Sequence, residues 1–115
     1  MSSSSGALEA VDRILNRGGD ADDVLRAVVA ALVERGGCTW AGILFLENGE
    51  LALGPQAGEP DAARRLQVPI AFRGDAVGAL AADGCDDRPL LERVALLIGP
   101  YALLGWDTGG ETWEA

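Results

Sequence analysis

The chain has no lysine and no histidine. All nine of its basic residues are arginine, set against 18 acidic residues, for a formal net charge of −9. Without histidine it lacks the commonest general base near neutral pH and the commonest metal ligand. So few cations make no basic face to neutralise phosphates, which argues against nucleic acid as a partner. Aromatic residues are scarce, at 5%. No apolar run approaches the roughly 20 residues of a membrane-spanning helix, so no membrane partner is expected. The serine-rich start, Met1 to Gly6, has neither the positive flank nor the apolar stretch of a signal peptide and is expected to fray. Two cysteines, Cys38 and Cys85, are too few and too far apart to read as a disulfide framework or a zinc site. They are expected to be free thiols in a reducing cytoplasm, Cys38 buried at the start of a strand and Cys85 inert before a helix. No metal and no cofactor is expected.

What remains is ordinary globular material. At 115 residues, 49% hydrophobic and 23% charged, the chain is one domain with one core. Leu8, Val11, Ile14 and Leu15 lie on one helical stripe that Gly18-Gly19 ends. Asp20 or Asp22 caps a second helix, in which Val24, Leu25, Val28, Val29, Leu32 and Val33 make a broad apolar face up to Gly36-Gly37. From Thr39 to Glu47 the texture becomes strand-like. Asn48-Gly49 offers a tight turn, Glu50 to Leu53 returns, and Gly54 to Pro60 reads as loop. Asp61 to Arg65 has room for one helical turn.

A second hairpin follows. Leu66, Val68, Ile70 and Phe72 alternate with Gln67, Pro69, Ala71 and Arg73, Gly74-Asp75 turns the chain, and Ala76 to Asp83 runs back. Pro69 removes a ladder donor and belongs at an edge or bulge. Asp86 or Asp87 caps the last helix, striped by Leu90, Leu91, Val94, Leu97, Ile98, Tyr101 and Leu104, with a kink expected at Gly99-Pro100. From Trp106 to Ala115 a glycine-broken acidic tail is expected. This order gives an α+β fold: an antiparallel β-sheet built from two hairpins, with N-terminal and C-terminal helices packed on one face.

These residues resemble a GAF domain over positions 8 to 105. Leu66-Gln67-Val68-Pro69-Ile70, a turn, and Ala76-Val77-Gly78-Ala79-Leu80 look like the late hairpin of that family, and Asp86 to Leu104 sits where its C-terminal helix sits. Cys38 to Leu44 followed by Gly49 to Pro55 resembles one branch, the free methionine-R-sulfoxide reductases, whose G-x-P segment here is Gly58-Glu59-Pro60. The resemblance implies a single domain over residues 7–105 between a frayed 1–6 and a tail, 106–115. Two departures bear on function. About eleven residues separate Leu53 from the late hairpin, where the family places the loops and helix that roof its ligand pocket. The reductase chemistry is also missing. One cysteine position falls at Ala62, the other two lie in the deleted stretch, and two acid positions hold Arg65 and Ala81, leaving Asp83. A thiolate must attack the sulfoxide sulfur and a second thiol must resolve the product, so no catalytic residue is assigned.

By alternation, Leu66, Val68, Ile70 and Phe72 face the helices, and the resemblance implies that Thr39, Ala41, Ile43 and Phe45 join them. The opposite face carries Trp40, Gly42, Leu44, Leu46, Arg65, Gln67, Pro69, Ala81 and Asp83. Among these, Trp40, Leu44, Arg65, Gln67 and Asp83 are the candidate binding residues for a small-molecule ligand. The plainer reading is that Trp40 packs and that Arg65 and Asp83 form a solvated ion pair, and the missing roof favours it. The uncovered face can also bury itself against a partner, and the resemblance implies pairing through the terminal helices, so a homodimer is expected. The sequence thus points to a non-enzymatic binding or regulatory domain that senses a small ligand or contacts another protein. A reductase-like enzyme and a purely structural dimerisation module are the alternatives.

Overall fold

The computed structural model describes residues 3–47, 49–85 and 87–114, with side chains over 6–102. The Asn48 half of the first turn, the Asp86 alternative for the helix cap and the side chains of Leu104, Trp106 and Trp113 lie outside the described residues. The element order is α1 (Ser3–Arg17), α2 (Ala21–Arg35), β1 (Trp40–Glu47), β2 (Glu50–Gly58), a 3-10 turn (Ala62–Arg64), β3 (Arg65–Phe72), β4 (Asp75–Asp83) and α3 (Arg88–Glu114). All neighbouring strands are antiparallel, in the order β2-β1-β4-β3. The α+β architecture with helices on one sheet face is therefore the one the sequence predicts.

The helical layer follows from its apolar stripes. α1 starts at Ser3, ahead of the expected stripe, because Ala7 extends that stripe one turn back and is fully buried beside Val11. Asp20 occupies the position before α2, where its carbonyl takes the first helical hydrogen bond from Val24 N–H, but its side chain makes no cap bond. Gly37, at φ +78°, turns the chain out of α2. Asp87 caps α3, its Oδ1 accepting from Leu90 N–H at 3.2 Å. α3 continues past Pro100 to Glu114, where a broken tail was expected. Pro100 leaves the carbonyl of Leu96 without its helical donor. Both residues lie on the solvent side of α3, where water can take that bond.

α2 lies along β1 and β2, and α3 along β3 and β4. Between helices and sheet sits one apolar core, in which Leu25, Val28, Leu32, Leu91 and Ile98 meet Ile43, Ile70 and Leu80. Leu66 and Phe72 are half-buried on this side, as alternation predicts, and so is Phe45, as the resemblance implies, but Thr39 is exposed.

Three expectations are corrected. First, Gly54 to Gly58 is strand, not loop. Gly42 pairs with Gln56 and Leu44 with Leu53, so Gly54 and Pro55 together oppose Ile43. This bulge, on an edge strand, is the setting in which a proline without an N–H is tolerated. Second, the late hairpin turns on Arg73-Gly74, at φ 56° and 85°, and Asp75 already belongs to β4. Positive φ at both central residues is the geometry whose twist suits a two-residue hairpin. Pro69, on the edge strand β3, is where its missing donor demands. Third, the cysteines are not free: a disulfide joins Cys38 to Cys85, with Cα atoms 4.7 Å apart. A separation of 47 residues hides the fact that the start of β1 and the exit of β4 are neighbours once the sheet forms. The expectation of a reducing cytoplasm loses the ground that free thiols gave it. No helix among the described residues is long and apolar enough to cross a membrane.

Candidate functional site

The outer sheet face, away from the helices, divides along its strands. Trp40 and Asp83 are paired across β1 and β4, and Asp83 and Arg65 across β4 and β3, so the three side chains share one row. The next row is Gln56, Gly42, Ala81 and Gln67, and the next is Leu53, Leu44, Ala79 and Pro69. Leu51 and Leu46 pair beyond them; Glu50 and Glu47, one residue further on at the hairpin tip, fall on the helix side of the sheet by alternation.

The first row is closed on itself. The Trp40 indole lies down across Gly42: a Cβ there would come within 2.6 Å of the ring, so only glycine leaves space for it. Its Nε1–H donates to Gln56 Oε1 at 3.0 Å. The Arg65 guanidinium covers the ring at 4.3 Å from its centroid, a cation–π contact. Arg65 is held there by Asp83, donating from Nε to Oδ1 at 2.7 Å and from NH2 to Oδ2 at 2.9 Å. This is the fork geometry in which a guanidinium matches a carboxylate. The Asp61 backbone N–H donates to Asp83 Oδ2 at 2.6 Å. The Asp83 side chain is fully buried, whereas that of Arg65 keeps 33% exposure.

The electrostatics follow from these contacts. Hydrogen bonds from Arg65 hold the Asp83 carboxyl below the usual aspartate range, helped by the Asp61 amide and the positive charge and opposed by burial. The same pair raises Arg65 above its ordinary value, again chiefly through the hydrogen bonds. Among the described residues no buried side-chain polar atom lacks a partner, so the cluster presents no orphaned group to a ligand.

Of the five candidate residues, the structure brings Trp40, Arg65 and Asp83 together. Gln67 stands one row away and exposed, and Leu44 two rows away among leucines. The Arg65–Asp83 pair exists, but its acid is buried rather than solvated. Sequence reasoning missed Gln56, because Gly54-Pro55 looked like a loop, and Asp61, because a backbone donor leaves no side-chain signal. It also missed Leu51 and Leu53, which are 43% and 49% exposed. Extending the alternation of β1 across the first turn would have found both.

No family model matches the chain, and no curated protein does. Solved structures do. A GAF domain of a phosphoenolpyruvate-protein phosphotransferase from Coxiella burnetii superposes with a TM-score of 0.73 at 12% identity, over 93% of this chain and 98% of that one. The corresponding Acinetobacter domain gives 0.71 at 12% identity, over 90% and 97%. The free methionine-R-sulfoxide reductase of Neisseria meningitidis, in complex with its substrate, gives 0.70 at 17% identity, over 90% and 93%. The fold is that of a GAF domain.

Two features bear on what this GAF-like chain can do. Only six residues separate the end of β2 at Gly58 from the start of β3 at Arg65, and their regular structure is the single turn Ala62–Arg64. Ala62, where the resemblance placed a cysteine, lies in that turn. Asp83, the one acid left of the reductase pattern, has both oxygens taken by Arg65 and Asp61. Both sulfurs of the chain lie on the opposite side of the sheet, in the apolar core.

Proposed function

We propose that this GAF-like chain is a non-catalytic binding and regulatory module that pairs with a second copy through its outer sheet face. The observation that carries the reading is the division of that face. One end is filled by its own Trp40, Gln56, Arg65 and Asp83, and the other exposes Leu51 and Leu53 beside the half-buried Leu44 and Leu46. A sheet face of this kind is a surface for burial against another surface rather than a cavity for a small molecule.

Charge favours a second copy as the occupant. At the leucine end Glu47 and Glu50 sit directly across from each other, a repulsive pairing in isolation. Neither makes an ion pair among the described residues. At the closed end Arg64 is exposed, and its guanidinium donates to the Gly84 carbonyl at 3.5 Å. Two copies laid face to face with strands antiparallel bring each arginine end beside the partner's acidic hairpin tip, which borders the face rather than lying on it, an isologous arrangement. Strand spacing and rise give a face of roughly 450 Å² per copy. The total of roughly 900 Å² falls below the range of tight complexes, so the dimer is weak and concentration-dependent.

The non-catalytic part rests on sulfur. A reductase needs an accessible thiolate, and both cysteines are spent in a buried disulfide. Sedimentation from micromolar to millimolar concentration tests the pairing. A dimer that dissociates on dilution and is lost in Leu53→Arg supports it. A monomer throughout rejects it. Turnover of free methionine sulfoxide with a dithiol reductant would reject the non-catalytic reading separately.

A further inference from the structure

Cys38 and Cys85 are the only cysteines of the chain, and their bridge encloses all four strands and none of the α-helices. Its position is what matters. Cys38 precedes Trp40 by two residues, and Cys85 follows Asp83 by two. The residues between are tightly joined. Thr39 donates to the Asp83 carbonyl twice, from its N–H at 2.8 Å and from its hydroxyl at 3.1 Å. Gly84, at φ +81°, packs so close to Thr39 that a Cβ would meet its Oγ1 at 2.7 Å. Gly84 N–H also returns to the Arg64 carbonyl at 3.3 Å, next to Arg65. A shift of Cys38 relative to Cys85 therefore reaches Trp40 and Asp83 through a single residue on each strand, and Arg65 through one more hydrogen bond. Leu25, Leu32, Leu80, Leu91 and Ile98 share the core with the two cysteines, and their apolar burial needs no sulfur–sulfur bond.

We infer that Cys38–Cys85 is a reversible thiol–disulfide site, a redox clasp whose opening loosens the Trp40–Arg65–Asp83 end of the outer face while the helical layer stays folded. The co-reactant is a dithiol. One of its thiolates attacks a cysteine sulfur, the Cys38–Cys85 bond breaks, and the displaced cysteine leaves as a thiolate and takes a proton. The second thiol of the reductant then attacks the mixed disulfide, closes its own ring and releases the other cysteine. Two electrons and two protons pass to the protein, and the dithiol is oxidised to a disulfide. Cys38 and Cys85 are only 4% and 7% exposed, so the attack waits on local opening around the bridge. The clasp acts on the cluster whether or not two copies pair.

The test uses the full chain carrying Trp106→Phe and Trp113→Phe, which leaves Trp40 as its only indole. The protein is treated with dithiothreitol under native conditions and reduction is followed by the mass gain of two hydrogens. The expected result is an unchanged far-ultraviolet circular dichroism spectrum and a red-shifted Trp40 emission whose acrylamide quenching rises about twofold, both reversed on reoxidation. Adding Cys38→Ala and Cys85→Ala is expected to give the same emission without reductant. Three results overturn the clasp: global unfolding on reduction, which makes the bridge a staple only; reduction with Trp40 emission unmoved; or a bridge that resists the dithiol in the native protein. Sedimentation of the same samples keeps the two readings apart, since a monomer with a responsive Trp40 sinks the pairing and leaves the clasp standing.

Discussion

The two ends of the outer sheet face are built from the same strands, yet they differ in what their side chains reach. At the Trp40 end, an aromatic, an amide, a guanidinium and a carboxylate satisfy one another, with glycine at position 42 to let the indole lie flat. At the Leu44 end, four leucines, with Ala79 and Pro69 continuing the row of Leu44, have no polar group to pair with one another. A polar row closes by itself because hydrogen bonds are directional and a bidentate ion pair fixes two side chains at once. An apolar row of the same width closes only when another surface arrives. The difference separates what the fold needs from what the face offers.

Opening the clasp should have the largest effect on the closed end. In the chain-entropy account, a bridge across 47 residues stabilises by about 4 kcal/mol. Cys38→Ala with Cys85→Ala should lower the denaturation free energy in urea by about that much, and a loss under 1 kcal/mol would show that the ends of β1 and β4 are held together without the bridge.

Next comes the acid at the centre of the cluster. Asp83→Ala strips Arg65 and the Asp61 N–H of their partner. Breaking a buried pair costs about 3 to 5 kcal/mol, and the partial exposure of Arg65 brings the expected loss to about 2 to 3 kcal/mol. The pair also sets a pH dependence. The Asp83 pKa is lowered in the folded state, so its contribution is complete above the ordinary aspartate value of 3.8 and is lost as pH falls through the lowered folded value. The stability gap between the native chain and Asp83→Asn should be flat from neutral pH to near pH 4 and shrink below it. A gap that shrank between pH 7 and 5 would place the titration elsewhere.

A smaller effect is expected at the floor of the cluster. Gly42→Ala places a methyl where the Trp40 ring lies, within 2.6 Å, and overpacking of this kind costs about 1 to 3 kcal/mol. The Trp40 indole N–H resonance should move as its bond to Gln56 breaks. An unmoved resonance would mean that the ring does not rest on Gly42.

Gly42 and Gln56 also show where sequence reading stops. The two hairpins, the three helices and the partition of β3 into buried and exposed residues were legible, because each rests on local periodicity and on turn residues. Alternation separates the two sides of each strand, but which side of β1 meets the helices, and so the placing of Trp40 with Arg65 and Asp83, came from the resemblance to GAF domains. Their contact needed the register between β1, β4 and β3, which no strand carries alone. Gln56 was lost because a bulge converts a glycine-proline pair, ordinarily a strand breaker, into part of an edge strand, and that tolerance comes from the partner strand. The disulfide was lost in the same way. Sequence distance separates Cys38 from Cys85, and the antiparallel pairing of β1 with β4 brings them together.

The smallest expected effect on stability, and the sharpest on assembly, belongs to the leucine end. Leu51→Ser with Leu53→Ser removes apolar side chains that are already 43% and 49% exposed, so the folded monomer should change by no more than about 0.5 kcal/mol per site. Pairing is different, because in a two-fold dimer each substitution counts twice. If burying the remaining exposed half of each leucine contributes about 1 kcal/mol, the four leucines together contribute about 4 kcal/mol. Their loss should weaken the dimer about a thousandfold. Thermal melting at low concentration and sedimentation at high concentration read the two quantities apart. Unchanged melting with lost dimerisation makes the leucine end an interface. A fall in melting temperature comparable to that of Asp83→Ala would instead mean that the leucines, despite their exposure, hold the monomer together.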